Sequence, residues 1–183
     1  MSTTILCIQQ CQKVDQQSKN WQQCSGGRYH YPLQGNAGCL ILVQDKLLVV
    51  RDRESGRWGF PAGGPQGQEG IACTAVRETF EETGLRVQSR ALIAFLPAKN
   101  FYLFECRLTT GGLDLPAAGE NNNLMVPEFS QNEILAIRLI EIDSLIAADW
   151  RFPEQWNLVF DLVRARIKAG RQTPGSAKNN GGS

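Results

Sequence analysis

The chain has 183 residues, 42% of them hydrophobic, and its 19 basic residues stand against 18 acidic ones for a formal charge of +1. Length and composition are those of one ordinary domain with enough apolar side chains for a substantial core. The near-zero charge removes the electrostatic case for a nucleic-acid partner, and no apolar run approaches the roughly 18 residues that a membrane span needs.

Residues 1–35 read as an N-terminal extension, glutamine-rich between Gln9 and Gln23. Cys7, Cys11, Cys24 and His30 could in principle gather a structural Zn2+, but their C-x3-C-x12-C-x5-H spacing is looser than the tight C-x2-C pairs of such sites, so zinc is disfavoured. Six cysteines would also suit disulfides in an exported protein. Met1 to Gln10 lacks a basic start and a long apolar core, so a cytoplasmic protein with free thiols is expected; export is the alternative if a signal was trimmed before numbering.

Residues 36–169 carry the pattern of a single α/β domain. Ala37 to Leu42 and Lys46 to Arg51 are apolar runs around Gln44-Asp45 and predict a two-stranded hairpin. The run Leu47-Leu48-Val49-Val50 is continuous, which predicts a strand buried on both faces. Arg57 to Gly64 follows as a strand and glycine-rich loop, in which Trp58 and Phe60 are expected to fill the core rather than to stack on a ligand.

From Gly70 to Thr83 there is no proline and no internal glycine, and Gly84 stands where a helix C-cap belongs. At 100° per residue, Ala72, Val76, Phe80 and Thr83 fall on one side of this helix and Glu78, Glu81 and Glu82 on the other. Ala91 to Leu96, Asn100 to Leu108 and Ile134 to Ile142 predict further strands, and Gly111 to Gln131 a long polar loop. Pro153 to Ala169 predicts an amphipathic helix packed on the sheet, and residues 170–183 a disordered tail rich in Gly, Ser and Asn.

Gly63 to Leu85 concentrates the chemistry: Gly63, Glu69, Arg77, Glu78, Glu81, Glu82, Gly84 and Leu85 stand at fixed offsets. Three carboxylates at i, i+3 and i+4 repel one another unless something offsets them. A divalent cation would do so, since Mg2+ takes hard oxygen ligands and joins protein carboxylates to substrate phosphates. The bland alternative is a solvated helix face with Arg77 paired to Glu81.

The spacing resembles the Nudix box, G-x5-E-x7-R-E-U-x-E-E-x-G-U with U apolar, except that Thr79 occupies one U position. The resemblance implies an α/β/α sandwich with a mixed sheet, and a Mg2+-dependent hydrolase, with Mn2+ as a substitute ion. Its substrate would be a small molecule in which a nucleoside diphosphate is linked to another moiety. It implies Glu78 and Glu82 as principal metal ligands, Glu81 as a further ligand or proton acceptor, Arg77 as the group orienting them, and Glu69 as a structural bridge to Arg77. A backbone carbonyl of Ala62 or Gly63 would join the metal shell, and a late loop would supply another acid, for which Glu120, Glu128 and Glu133 are candidates, Glu133 foremost. The resemblance also admits a homodimer, and a catalytically silent nucleotide-binding sensor on the same fold is the alternative function. Tyr102, near a tyrosine of the dinucleoside polyphosphate branch, and Pro97, short of the ADP-ribose branch's proline, leave the substrate undecided. Arg51, Arg53, Arg57 and Lys99 are candidate phosphate contacts.

Overall fold

A strand whose side chains are all apolar must lie between two cores, and Leu47 to Val50 obey this, each at most 1% exposed. The structure, a computed structural model, describes residues 34–109 and 122–171. In it β1 (Asn36–Leu40), β2 (Leu42–Val43), β3 (Lys46–Asp52), β4 (Trp58–Gly59) and β5 (Ala62–Gly63) precede α1 (Ile71–Thr83). Then come β6 (Val87–Leu96), β7 (Phe101–Leu108), β8 (Asn123–Leu124), β9 (Ile134–Ile140) and α2 (Trp156–Arg171).

Two sheets result. The first has the order β5-β1-β7-β6 and is mixed, with β1 and β7 parallel and the other pairs antiparallel. The second is antiparallel in the order β2-β3-β9-β8, with β4 also paired to β3. The pleat sends Leu48 and Val50 into a core shared with Ala75 and Val76 of α1, and Leu47 and Val49 into one shared with Trp156, Val159 and Val163 of α2. This is the expected α/β sandwich with a helix on either side.

Several expectations are corrected. The hairpin across Gln44-Asp45 is only two residue pairs long, Leu42 with Leu47 and Val43 with Lys46, because β1 leaves it to pair with β5 and β7 in the other sheet. Both turn residues take positive φ, 48° and 66°, the primed-turn geometry that matches strand twist. The late polar loop is not wholly irregular: β8 adds to β9, and Glu128–Ser130 forms a 3-10 turn. Pro153–Gln155 is a 3-10 turn leading into α2 rather than its first turn.

Free thiols are overturned at two positions, since Cys39 and Cys106 form a disulfide with Cα atoms 5.4 Å apart. Parallel pairing sets Cys39 opposite Phe104, so Cys106 follows one pleat later on the same buried face, within bonding reach. Cys73 is buried outside that bond. The disfavoured zinc set Cys7, Cys11, Cys24 and His30 lies outside the described residues, as does the expected tail 170–183 except for Gly170 and Arg171, which continue α2. Among those described, no helix is long and apolar enough to cross a membrane.

α1 ends as expected at Gly84, whose φ of 70° lets its N–H bond to the Phe80 carbonyl at 2.7 Å. A Cβ there would also come within 3.0 Å of Pro127 Cγ. Gly84→Ala is therefore expected to lower the unfolding free energy by about 1–2 kcal/mol in a denaturant titration, with an unchanged m-value.

Candidate active site

The site is built where β5 crosses the flank of α1. Gly38 of β1 pairs with Ala62, and a Cβ on Gly38 would strike both the Ala62 side chain and the Pro61 carbonyl, so the glycine lets β5 lie close. The Pro61 carbonyl accepts from the Cys39 N–H at 3.1 Å, which fixes the approach. Ala62 and Gly63 thereby roof the side of α1 that carries Glu78 and Glu82.

That roof changes the expected division of the helix into an apolar and a carboxylate face. Glu82 is only 6% exposed, and its Oε2 accepts the Ala62 N–H at 2.9 Å. The Glu78 carboxylate fills the space where Gly63 lacks a Cβ, so any side chain at Gly63 would overlap it. Phe80, expected in the core, is exposed and stacks on Phe129 with ring centroids 5.9 Å apart. Thr79, the departure from the apolar pattern, is fully buried with its hydroxyl donating to the Ala75 carbonyl at 2.7 Å. Donation to a carbonyl one turn back satisfies the one polar atom the substitution adds.

Arg77 holds the carboxylates in register. Its Nε donates to both oxygens of Glu69 at 3.1 and 3.2 Å, and Nη2 reaches Glu69 Oε2 at 3.0 Å and the Gly64 carbonyl at 2.6 Å. Nη1 meets Glu78 at 2.8 Å and Glu81 at 2.6 Å. Glu69, itself 9% exposed, also accepts from Thr74 Oγ1 and the Gln66 N–H, which makes it the bridge between loop and helix. Burial opposes charge on Arg77, but the Glu69 hydrogen bond and the fields of Glu78 and Glu69 outweigh it and raise its pKa.

Burial dominates the two roofed carboxyls. It raises the Glu78 pKa against the pull of Arg77, and it pushes Glu82 up to about 8 against the Ala62 N–H, with the Glu78 charge adding to the rise. Glu81 lies at the edge, its side chain 45% exposed and drawn to Arg77. Among the described residues, no three His, Cys, Asp or Glu side chains converge as a ready metal cluster. The donor chemistry nevertheless fits a hard cation: Glu78 and Glu82 are neighbouring, partly desolvated carboxyls whose mutual repulsion a divalent ion would offset.

Glu133 is exposed, and its backbone is pinned by Ser130 on one side and Arg53 on the other, close enough for its charge to bear on Glu82. Glu128 is exposed in the 3-10 turn, and Glu120 lies outside the described residues. Tyr102 is a core residue, 3% exposed and stacked on Phe95, so it offers no ligand contact. Phe60 fills the core against Trp150, as expected, while Trp58 is half-buried beneath Arg51 and Arg138. Arg151 is a cation that sequence reasoning missed. It pairs with Asp52 at 3.2 Å, its backbone N–H bonds to the Trp58 carbonyl at 2.7 Å, and its charge pulls the Glu82 pKa back down. No local pattern announces it, since Asp52 is 99 residues away in sequence.

The raised Glu82 pKa sets a sign for stability. In the unfolded chain Glu82 ionises near 4.5, whereas in the fold it stays protonated to about 8. Its contribution is thus fully present below the unfolded value and is lost as pH rises towards the folded one. In EDTA, the unfolding free energy of the wild type is expected to fall relative to that of Glu82→Gln by up to about 1.4 kcal/mol per pH unit through this window. Parallel denaturation curves at several pH values check it, and a pH-independent difference would refute the assignment.

The same architecture recurs in known proteins. A family model described as NUDIX domain matches residues 32–162. The mouse protein "Nucleoside diphosphate-linked moiety X motif 6" is 46% identical over 63 residues, which are 33% of this chain and 20% of that protein, so the match spans a fifth of its length. A Streptococcus suis structure described as an ADP-ribose pyrophosphatase superposes with a TM-score of 0.53 at 22% identity, covering 76% of this chain and 93% of its own. A Nudix hydrolase structure from Nitrosomonas europaea gives 0.54 at 24% identity, over 79% and 75%. Together with the arrangement of Arg77, Glu78 and Glu82 beneath Ala62 and Gly63, the match over residues 32–162 establishes that the chain belongs to the Nudix hydrolase family.

Proposed function

We propose that this chain is a Mg2+-dependent hydrolase that cleaves the pyrophosphate linkage of a nucleoside diphosphate joined to another moiety. The observation that carries the reading is the pairing of two desolvated carboxyls, Glu78 and Glu82, under the backbone of Ala62 and Gly63. With the carbonyls of Ala62 or Gly63, these two would hold the ion, and Glu81 would join them on leaving Arg77. When bound, Mg2+, or Mn2+ in its place, neutralises phosphate charge and lowers the pKa of a coordinated water.

The chain's own groups do the rest. Arg77 keeps Glu78 and Glu81 oriented and ties the Gly64 loop to α1, so the ligand oxygens are positioned before substrate arrives. Glu133, whose charge bears on Glu82, or Glu81 at the edge of the cluster would take the proton from the attacking water. Arg151, half-exposed beside Gly59, supports the reading as a cation available to phosphate oxygens. Descriptions of two similar proteins, one of a nucleoside diphosphate-linked moiety and one of an ADP-ribose pyrophosphatase, support the substrate class.

A panel of ADP-ribose, nucleotide sugars, dinucleoside polyphosphates, NADH and nucleoside triphosphates tests it, with an added phosphatase releasing inorganic phosphate from the monoester products, and with wild type and Glu82→Gln run in Mg2+ and then EDTA. Turnover is expected to vanish in EDTA and to fall on the order of a thousandfold in Glu82→Gln, about 4 kcal/mol of barrier, with the circular dichroism spectrum unchanged. An active Glu82→Gln sinks the reading. Calorimetric binding of a nucleotide without any turnover across the panel would favour the silent sensor module.

A further inference from the structure

On the side of the second sheet whose core contains α2, a cavity of about 490 Å3 opens over β3, β4 and β9. Lys46, Arg51 and Arg138 line it around the Trp58 ring, and none of the α1 carboxylates reaches it. The guanidinium of Arg138 sits 5.2 Å from the centre of that ring and that of Arg51 5.8 Å, so one indole orients both cations. Among the described residues each arginine is anchored through its Nε, Arg51 to the Gly56 carbonyl at 2.8 Å and Arg138 to Asn123 Oδ1 at 2.7 Å. Lys46 donates one hydrogen bond, to Asn122 Oδ1 at 3.0 Å.

Anchoring through Nε leaves the fork of each guanidinium with its terminal donors unspent among the described residues. Those donors are the ones that grip an oxyanion in parallel. Ion pairs among the described residues form at Arg77, Arg151, Arg164 and Arg166, and none of these draws on the three cations. Glu141 and Asp149 also line the cavity, both exposed, and neither forms an ion pair with the three cations. Two of the cations, Lys46 and Arg138, are half-buried, so their attraction for an anion is screened less than that of freely solvated side chains.

We propose that this cavity is a second binding site, separate from the candidate active site, that takes the phosphate group of a small ligand. The phosphate is held by Lys46, Arg51 and Arg138, with Trp58 as the platform that keeps the two arginines aligned. The inference does not depend on the hydrolase reading, because none of the side chains that would hold the phosphate belongs to that site.

The test follows the indole N–H resonances of the full chain in EDTA as inorganic phosphate is added, against chloride at matched ionic strength, with Trp58 identified through Trp58→Phe. A saturable shift of the Trp58 signal is expected, weakened about tenfold in Arg138→Gln and in Lys46→Met and unchanged in Glu82→Gln. Unmoved Trp150 and Trp156 signals in the variants show that the fold is intact. A shift reproduced by chloride, one that survives both cation substitutions, or one lost in Glu82→Gln overturns the proposal. Ribose 5-phosphate in a parallel arm separates the sources: tighter binding than inorganic phosphate identifies a hydroxyl-bearing ester, and equal binding the free ion.

Discussion

One guanidinium organises the centre of this molecule. Arg77 reaches three carboxylates and a loop carbonyl at once, two of the carboxylates on its own helix, while Glu69 and the Gly64 carbonyl tie the preceding loop to that helix. Three glutamates of α1 clustered on one flank repel one another, and a fourth acid, Glu69, is drawn in beside them. Without the cation, the helix would lose stability at its own surface and the Gly64 loop would have no fixed position over it. Buried charge networks of this kind are poor stabilisers in themselves. The arrangement makes sense as a device for holding oxygen atoms at set distances, with the cost in desolvation concentrated on Glu82.

Much of this was legible because it is local. Spacing within Gly63 to Leu85 identified the helix, its αL glycine cap and the carboxylate cluster, and the family resemblance implied the Glu69 to Arg77 bridge, all within a few turns of chain. The helical projection then failed at Glu82 and Phe80, because it counts angles on one helix and cannot include what packs against it. β5 covers the flank where Glu82 sits, and the 3-10 turn at Phe129 draws Phe80 outwards. The Asp52 to Arg151 pair and the Cys39 to Cys106 bond join residues far apart in sequence, so no window along the chain contains them. The hairpin expectation failed for a related reason: alternation reveals that a segment is a strand, not which neighbour it takes.

Trp58 illustrates how one residue can serve two environments. Its backbone carbonyl anchors Arg151, whose charge acts on Glu82, while its ring lies under Arg51 and Arg138. A short strand of two residues, β4, therefore stands between the carboxylate-rich site and a cationic cavity. The alternation of side chains along a strand keeps them apart.

Ile41 lies between β1, in the mixed sheet, and β2, in the antiparallel one, and its carbonyl accepts the Leu48 N–H at 3.0 Å while its side chain is almost fully buried. A single residue thus hands the chain from one sheet to the other. The hand-over is one residue long and buried, with its carbonyl tied into the β2–β3 pairing, so the chain spends no loop in passing between the sheets. The layer behind the candidate site is therefore continuous with the strand that begins the domain, and a side chain lost at Ile41 would open a void where the two sheets meet.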